Sequence, residues 1–212
     1  MTEDLVVIGA GGFGRESLDV IEAINAAAEA PVWNVVGVVD DSVTGPHLER
    51  LGRRGYRHLG PLTENLELLS TTASVVSIGS PQVRAEIAGR VRGRVAKALV
   101  HPAAVIGSHT TLGAGAVICA GVQLSTNVKL GSHVHLNPGV IVGHDTRIDD
   151  FVSINPGAVV SGEVRVEREA LIGAGAIILQ GLAVQRRSVV GAAACVTKSV
   201  PAGAVVVGVP AR

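Results

Sequence analysis

Two architectures in series are predicted for this chain: a small parallel α/β sheet of Rossmann-like character over residues 1–100, then a parallel β-helix over 101–212. Three observations predict them. Up to about residue 100, short apolar runs alternate with segments of helical spacing, the pattern of strands joined by crossover helices. From residue 101 an aliphatic residue recurs at every sixth position, and fixed short-period repetition marks a solenoid. Only two Phe, one Trp and one Tyr occur among 212 residues. The core must therefore be thin, regular layers of Val, Ile, Leu and Ala rather than a bulky interior.

The elements follow in order. "DLVVIGA" (4–10) is a short apolar run ending in glycines and reads as a buried strand. "GRESLDVIEAINAAAEA" (14–30) sets Leu18, Ile21, Ile24 and Ala28 on one helical face. "WNVVGVVDD" (33–41) is a second strand closing on Asp40 and Asp41, and "ASVVSIGS" (73–80) a third closing on Gly79 and Ser80. "PQVRAEIAGRVRG" (81–93) opens with a proline, which a first helical turn tolerates, and then repeats Val83, Ile87 and Val91 as its apolar stripe. "AKALVHP" (96–102) is expected as the last strand of this sheet and the exit from it.

The second half obeys a stricter rule. Counting in sixes from Ile106 gives Leu112, Ile118, Leu124, Leu130, Leu136, Val142 and Ile148, then Ile154, Val160, Val166, Ile172, Ile178, Val184, Val190 and Val196. Roughly a quarter to a third of positions would be aliphatic on ordinary usage, so an unbroken series of this length is not chance. Each six-residue unit is a short strand and a turn, and three units close a triangular coil of 18 residues. Coils stack at about 4.8 Å, so residues 18 apart lie on top of one another.

Composition narrows function. Lys+Arg and Asp+Glu balance at 18 each, which argues against a nucleic-acid partner, since that needs a basic face and stacking aromatics. No run of about 18 apolar residues spans a bilayer. The acidic start, Met1-Thr2-Glu3-Asp4, is unlike a basic leader. Cys119 and Cys195 form no metal or disulfide spacing, so reduced thiols in a cytoplasmic protein are expected.

Two places carry chemistry. Gly9, Gly11 and Gly14 form G-x-G-x-x-G, with Gly12 inside it, between a strand and a helix. There backbone N–H groups can cradle a diphosphate. Asp40 and Asp41 would accept from a ribose hydroxyl or a pyrimidine N–H, with Gly79 and Ser80 bordering the same crevice. Asp40 follows Gly14 by 26 residues, later than the usual spacing of about 20 in dinucleotide domains. A nicotinamide cofactor is the competing ligand, and glycines that merely permit the turn are the bland alternative. The second place is "GHD" at 143–145. Histidine titrates near working pH, roughly 6.5, and suits a general base; a carboxylate on its other nitrogen holds one tautomer and stabilises the imidazolium. Gly162, one coil beyond His144, would let a ligand approach its backbone N–H.

The hexads, with "IGAGAII" (172–178) and the terminal "GVPAR" (208–212), resemble the hexapeptide-repeat acyltransferases, whose β-helix is left-handed. "VVIGAGGFGRE", "GVVDD" and "SIGSPQVR" narrow the resemblance to the branch of sugar-nucleotide N-acetyltransferases and sialic acid O-acetyltransferases. The resemblance implies acetyl-CoA as cosubstrate, a nucleotide-linked amino-sugar as acceptor, no metal, and a homotrimer with sites between neighbouring β-helices. It implies His144 as general base, Asp145 as its orienting partner and Gly162 at the oxyanion. The CoA arm would follow Gly173, Ala174 and Gly191, its phosphates meeting Lys198, Arg186 or Arg187. One departure stands out: many relatives carry a second histidine nine residues after the first, against the thioester. Here that position is Ser153, and His135, one coil earlier, is the substitute to consider. His133, His135 and His144 lack the H-x4-H pairing of the metal-dependent carbonic anhydrases of this fold, so zinc is not expected. O-acetylation of a hydroxyl acceptor and a noncatalytic scaffold remain the rival functions.

Overall fold

The computed structural model describes residues 2–212. β1 (Glu3–Ile8) is the centre of a three-stranded parallel sheet, flanked by β2 (Trp33–Val39) and β3 (Ala73–Val76). Continuous Val and Ile runs suit strands covered on both sides. α1 (Gly12–Ala27) crosses from β1 to β2 and buries Gly14, Ser17, Leu18, Val20 and Ile21; Ile24 is half-buried and Ala28 lies past its end. Between β2 and β3 run α2 (Gly45–Arg53), one 3-10 turn (Leu62–Glu64) and α3 (Leu66–Thr71), which the apolar pattern did not announce. α4 (Pro81–Arg90) follows β3. Its expected stripe is corrected here: Val83 is 44% exposed, whereas Arg84 is completely buried.

The expected fourth strand of this sheet is also corrected. Val95 makes one parallel bridge to Ser74 beside β3. The chain then enters β4 (Leu99–Val100), which pairs with Val117–Ile118 and opens the solenoid. The reason lies in the period: Val100 stands six residues before Ile106 and already falls on the hexad.

From β4 to β21 (Val205–Val206), two-residue strands wind into a parallel β-helix of about six turns, the left-handed class the resemblance implies. Its three faces are sheets of seven, six and five strands. Residues 18 apart are in register, as Ile141 with Val159, and the backbone bonds run between coils, as from Gly143 N to Val160 O at 2.7 Å. Every hexad aliphatic from Ile106 to Val196 is the second, inward residue of its strand. From Ile118 onward none is more than 5% exposed, and each such burial contributes about 1.5–3 kcal/mol. Ile106, in the unfinished first turn, is 38% exposed. The pattern stops at Val196 because the last turn is two residues short: Val200 bridges Val184 and Val206 pairs with Val190.

The outward strand residues give each face a character. On the seven-stranded face Val117, His135 and Ser153 are at most 2% exposed, because the α/β layer packs there. The six-stranded face presents Val105, Ile141 and Ile177, each more than 40% exposed. The five-stranded face presents Lys129, Arg147 and Arg165. No helix among the described residues is long and apolar enough to cross a membrane.

Candidate active site

His144 sits on the prism edge between the six- and five-stranded faces, directly opposite the face that the α/β layer covers. The turn there needs left-handed backbone at Asp145 (φ 59°), a conformation that Asp tolerates better than most residues. That twist returns the Asp145 carboxylate to its neighbour, and Oδ2 lies 2.7 Å from His144 Nδ1. The other carboxylate oxygen accepts from Asn127 Nδ2 at 3.0 Å. These two hydrogen bonds, the imidazole first, hold the Asp145 carboxyl below its usual range. A carboxylate only accepts, so Nδ1 carries a proton, and in the neutral ring Nε2 then holds the lone pair. The imidazole is 46% exposed, and its Nε2 edge lies across Gly162. A Cβ at residue 162 would stand 2.6 Å from Nε2, so only glycine leaves the ring its place.

Asn127 escaped the sequence reading, yet it was findable: it precedes Asp145 by one 18-residue coil and occupies the same column of the edge.

The glycine loop opens on a second feature, a cleft of about 480 Å³ at the carboxyl ends of β1, β2 and β3. Gly9, Gly11, Gly12, Asp40, Asp41 and Gly79 all line it. Gly14 does not; a Cβ there would collide with Gly9 O, so this glycine permits the close approach of α1 to β1. Ser80 stands outside the lining, exposed at the start of α4. The two aspartates are braces more than free acceptors. Asp40 accepts from Ala10 N at 2.7 Å and Ser42 N at 2.8 Å, and Asp41 accepts from Leu62 N. Each carboxylate thereby ties one wall of the cleft to another. The floor is apolar, with Ile8, Val39, Leu62 and Ile78.

The residues expected along the CoA arm divide among three edges, Arg186 and Arg187 lying on the one between the five- and seven-stranded faces. Lys198 lies on the His144 edge in the shortened last turn, whereas Gly173, Ala174 and Gly191 lie on the edge at the far side of the six-stranded face. Ala174 and Lys198 are exposed. A Cβ on Gly173 would meet Ala192 N at 2.5 Å, so this glycine serves coil stacking. Ser153 belongs to none of these edges. It is 2% exposed beneath the α/β layer, where its Oγ donates to Gly79 O and accepts from Arg84, both at 2.9 Å. That placement disfavours the expected contact with an acyl donor, and the same holds for His135 beside it. His135 stacks on Phe13 and bonds Val76 O through Nε2 at 3.1 Å. The two histidines under the layer are therefore remote in the fold from His144, and the three do not converge.

Two family models match the chain: the PglD N-terminal domain over residues 4–91, and the hexapeptide repeat of succinyl-transferase over residues 104–143 and 163–198. A search of curated protein sequences finds no match. Solved structures are similar along the whole chain. A variant of perosamine N-acetyltransferase from Caulobacter crescentus, in complex with CoA and GDP-perosamine, is 25% identical with a TM-score of 0.86, the alignment covering 100% of this chain and 97% of that one. The acetyltransferase domain of PglB from Neisseria gonorrhoeae, in complex with acetyl coenzyme A, is 27% identical with a TM-score of 0.83, covering 100% and 99%. WeeI from Acinetobacter baumannii is 31% identical with a TM-score of 0.82, again covering 100% and 99%. Hexads that close a prism, a glycine-loop domain seated on one of its faces, and likeness over the full length together place this chain in the family of hexapeptide-repeat acyltransferases.

Proposed function

We propose that the protein transfers an acetyl group from acetyl-CoA to the amine of a nucleotide-linked amino-sugar, with His144 as general base. The observation that carries this is the His144–Asp145 pair on an uncovered edge, its Nε2 free and facing the space over Gly162. As the amine nitrogen attacks the thioester carbonyl, Nε2 takes its proton, and Asp145 stabilises the imidazolium. The C–N bond forms, the tetrahedral intermediate collapses, the C–S bond breaks, and the departing sulfur takes a proton. Gly162 N–H would donate to the transient oxyanion. Attack is direct. Cys119 is buried with its thiol pushed up to about 12 by burial, and Cys195 stands three coils along the six-stranded face from the strand that precedes His144, so neither thiol adjoins it.

The cleft of one protomer and the His144 of the same protomer lie on opposite sides of the prism. A sugar held by its nucleotide in the cleft therefore meets the imidazole of another copy. The six-stranded face, exposing Val105, Ile141 and Ile177, is flanked by the edge of His144 and Lys198 and by the edge of Gly173, Ala174 and Gly191. A neighbour laid against it in head-to-tail fashion would complete each site, and where the rotation closes such an interface forms a ring. The ring that the resemblance implies is a homotrimer with three sites.

The test is to incubate the protein with acetyl-CoA and UDP-, GDP- or dTDP-linked amino-sugars and follow thiol release. Saturable release with one of these acceptors, abolished in His144→Ala, supports the reading. Release only with hydroxyl acceptors such as sialic acid replaces it by O-acetylation. Release that survives His144→Ala removes the assigned base.

A further inference from the structure

Arg84 is the largest of the fully buried side chains among the described residues, and the proposed chemistry leaves it unused. It is fully buried on α4, the helix whose other side lines the cleft with Val83 and Ile87. Among the described residues no carboxylate pairs with it. Instead its guanidinium donates to oxygens of three separate segments. Nε reaches His133 O at 3.0 Å, Nη1 reaches Ile78 O and Gly79 O, and Nη2 reaches Phe151 O at 2.8 Å and Ser153 Oγ at 2.9 Å. Burial without a counter-charge pulls its pKa down to about 9, still high enough to keep the cation at neutral pH. Ser153 completes a triangle, because its hydroxyl donates onward to Gly79 O at 2.9 Å. Ile78 and Gly79 are themselves a wall of the cleft.

We propose that Arg84 and Ser153 are positioning residues for the acceptor: they bolt the Ile78–Gly79 wall to the solenoid and so fix the width of the cleft. Burying a cation costs several kcal/mol unless its donors are satisfied, and the five donors of a planar fork meet the five oxygens here at once, where a lysine has only three donors. Only fixed carbonyl positions satisfy that fork, so the wall cannot move without stranding a buried charge. The inference rests on the cleft being the nucleotide site, but its structural half can be tested without any nucleotide.

Two measurements on Ser153→Ala separate the possibilities. The first is amide hydrogen exchange on the protein without ligand. The clamp predicts that exchange within residues 77–80, read at the Ser77 amide that donates to Ile8 O, is at least about tenfold faster, while the amides of the β1–β2 pairing and of the 143–146 turn are unchanged. Unaltered exchange at 77–80 overturns the clamp. The second is steady-state kinetics with the acceptor found for the wild type. The expected result is a KM for the nucleotide-sugar raised about three- to tenfold, with kcat and the KM for acetyl-CoA within about twofold of wild type. A variant that loses thermal stability yet keeps the acceptor KM shows a purely structural role and overturns the proposal. Arg84→Lys should give the same split more strongly; an effect on kcat alone would count against it. If the wild type uses no nucleotide-sugar while exchange at 77–80 still responds, the clamp stands and the assignment of the cleft falls.

Discussion

Three histidines lie within twelve residues of one another in the chain, and two regions of the prism treat them in opposite ways. His133 and His135 point into the contact with the α/β layer. They stack on Phe151 and Phe13, their Nδ1 atoms are buried without partners, and burial together with the nearby Arg84 charge lowers both pKa values, that of His133 to about 4. His144 stands on the opposite edge, half-exposed and paired with a carboxylate. The imidazole is the same molecule in each case. What differs is whether a layer of protein or open space lies beyond it, and this teaches that the face on which the coil register places a histidine decides whether it is buried as structure or left available for chemistry.

That contrast predicts effects that separate cleanly into turnover and stability. The largest should be His144→Ala, expected to lower kcat by about 10²–10⁴ while leaving the thermal melt within a degree or two. Comparable turnover in the variant would break the contrast at its catalytic end. Next is His135→Ala beneath the layer, where a buried ring, its stacking and the hydrogen bond to Val76 O are lost together. Urea titration should show a loss of about 2–4 kcal/mol, and kcat per folded molecule should hold; a fall in kcat with stability intact would mean that the buried region also does chemistry.

Acid should sharpen the comparison. The folded protein keeps His133 neutral down to about 4, whereas the unfolded chain protonates it near the ordinary 6.5. The unfolded state therefore binds more protons in this window. The contribution is fully present above pH 6.5 and is lost as pH falls toward 4, amounting to at most about 3 kcal/mol. His133→Gln should reduce the pH dependence of the urea midpoint between those values, leaving the part that the buried His135 supplies; an unchanged slope would show that His133 is not a source of it. The smallest effect is expected at Asn127→Ala, which removes one hydrogen bond from Asp145. A fall in kcat of about two- to tenfold, accompanied by a shift in the pH–rate profile, would mark Asn127 as a support for the His144–Asp145 pair. A change confined to stability would return it to the scaffold.

Much of the site was legible because the repeat is a ruler. Once a coil is 18 residues, Gly162 must lie over His144 and Asn127 under Asp145, and both placements are found. The glycine loop was legible for a similar reason, since a strand, a tight turn and a helix N-terminus are local. Arg84 was not. Its helix reads as an ordinary amphipathic segment with Val83 and Ile87 facing in, and only the carbonyls of His133, Phe151, Ile78 and Gly79 make burial of a cation tolerable. None of those acceptors has a side-chain signature. The surroundings of Ser153 were hidden for the same reason: its position in the hexad fixes that it points outward, but not what waits outside.

By itself the amino-acid sequence determined the period, and with it the prism, the inward core from Ile118 to Val196, and the column that brings His144, Asp145 and Gly162 together. These depend on neighbours along the chain or one coil away, and six-residue spacing encodes both. Only the tertiary structure decided which of three faces the α/β layer covers. That choice buried His133, His135 and Ser153, left His144 on the far edge, and parted the cleft from the imidazole that would serve it. It was settled by long-range packing, the fit of Phe13, Arg84 and the Ile78–Gly79 turn against one sheet, and no local pattern in the chain records such a fit.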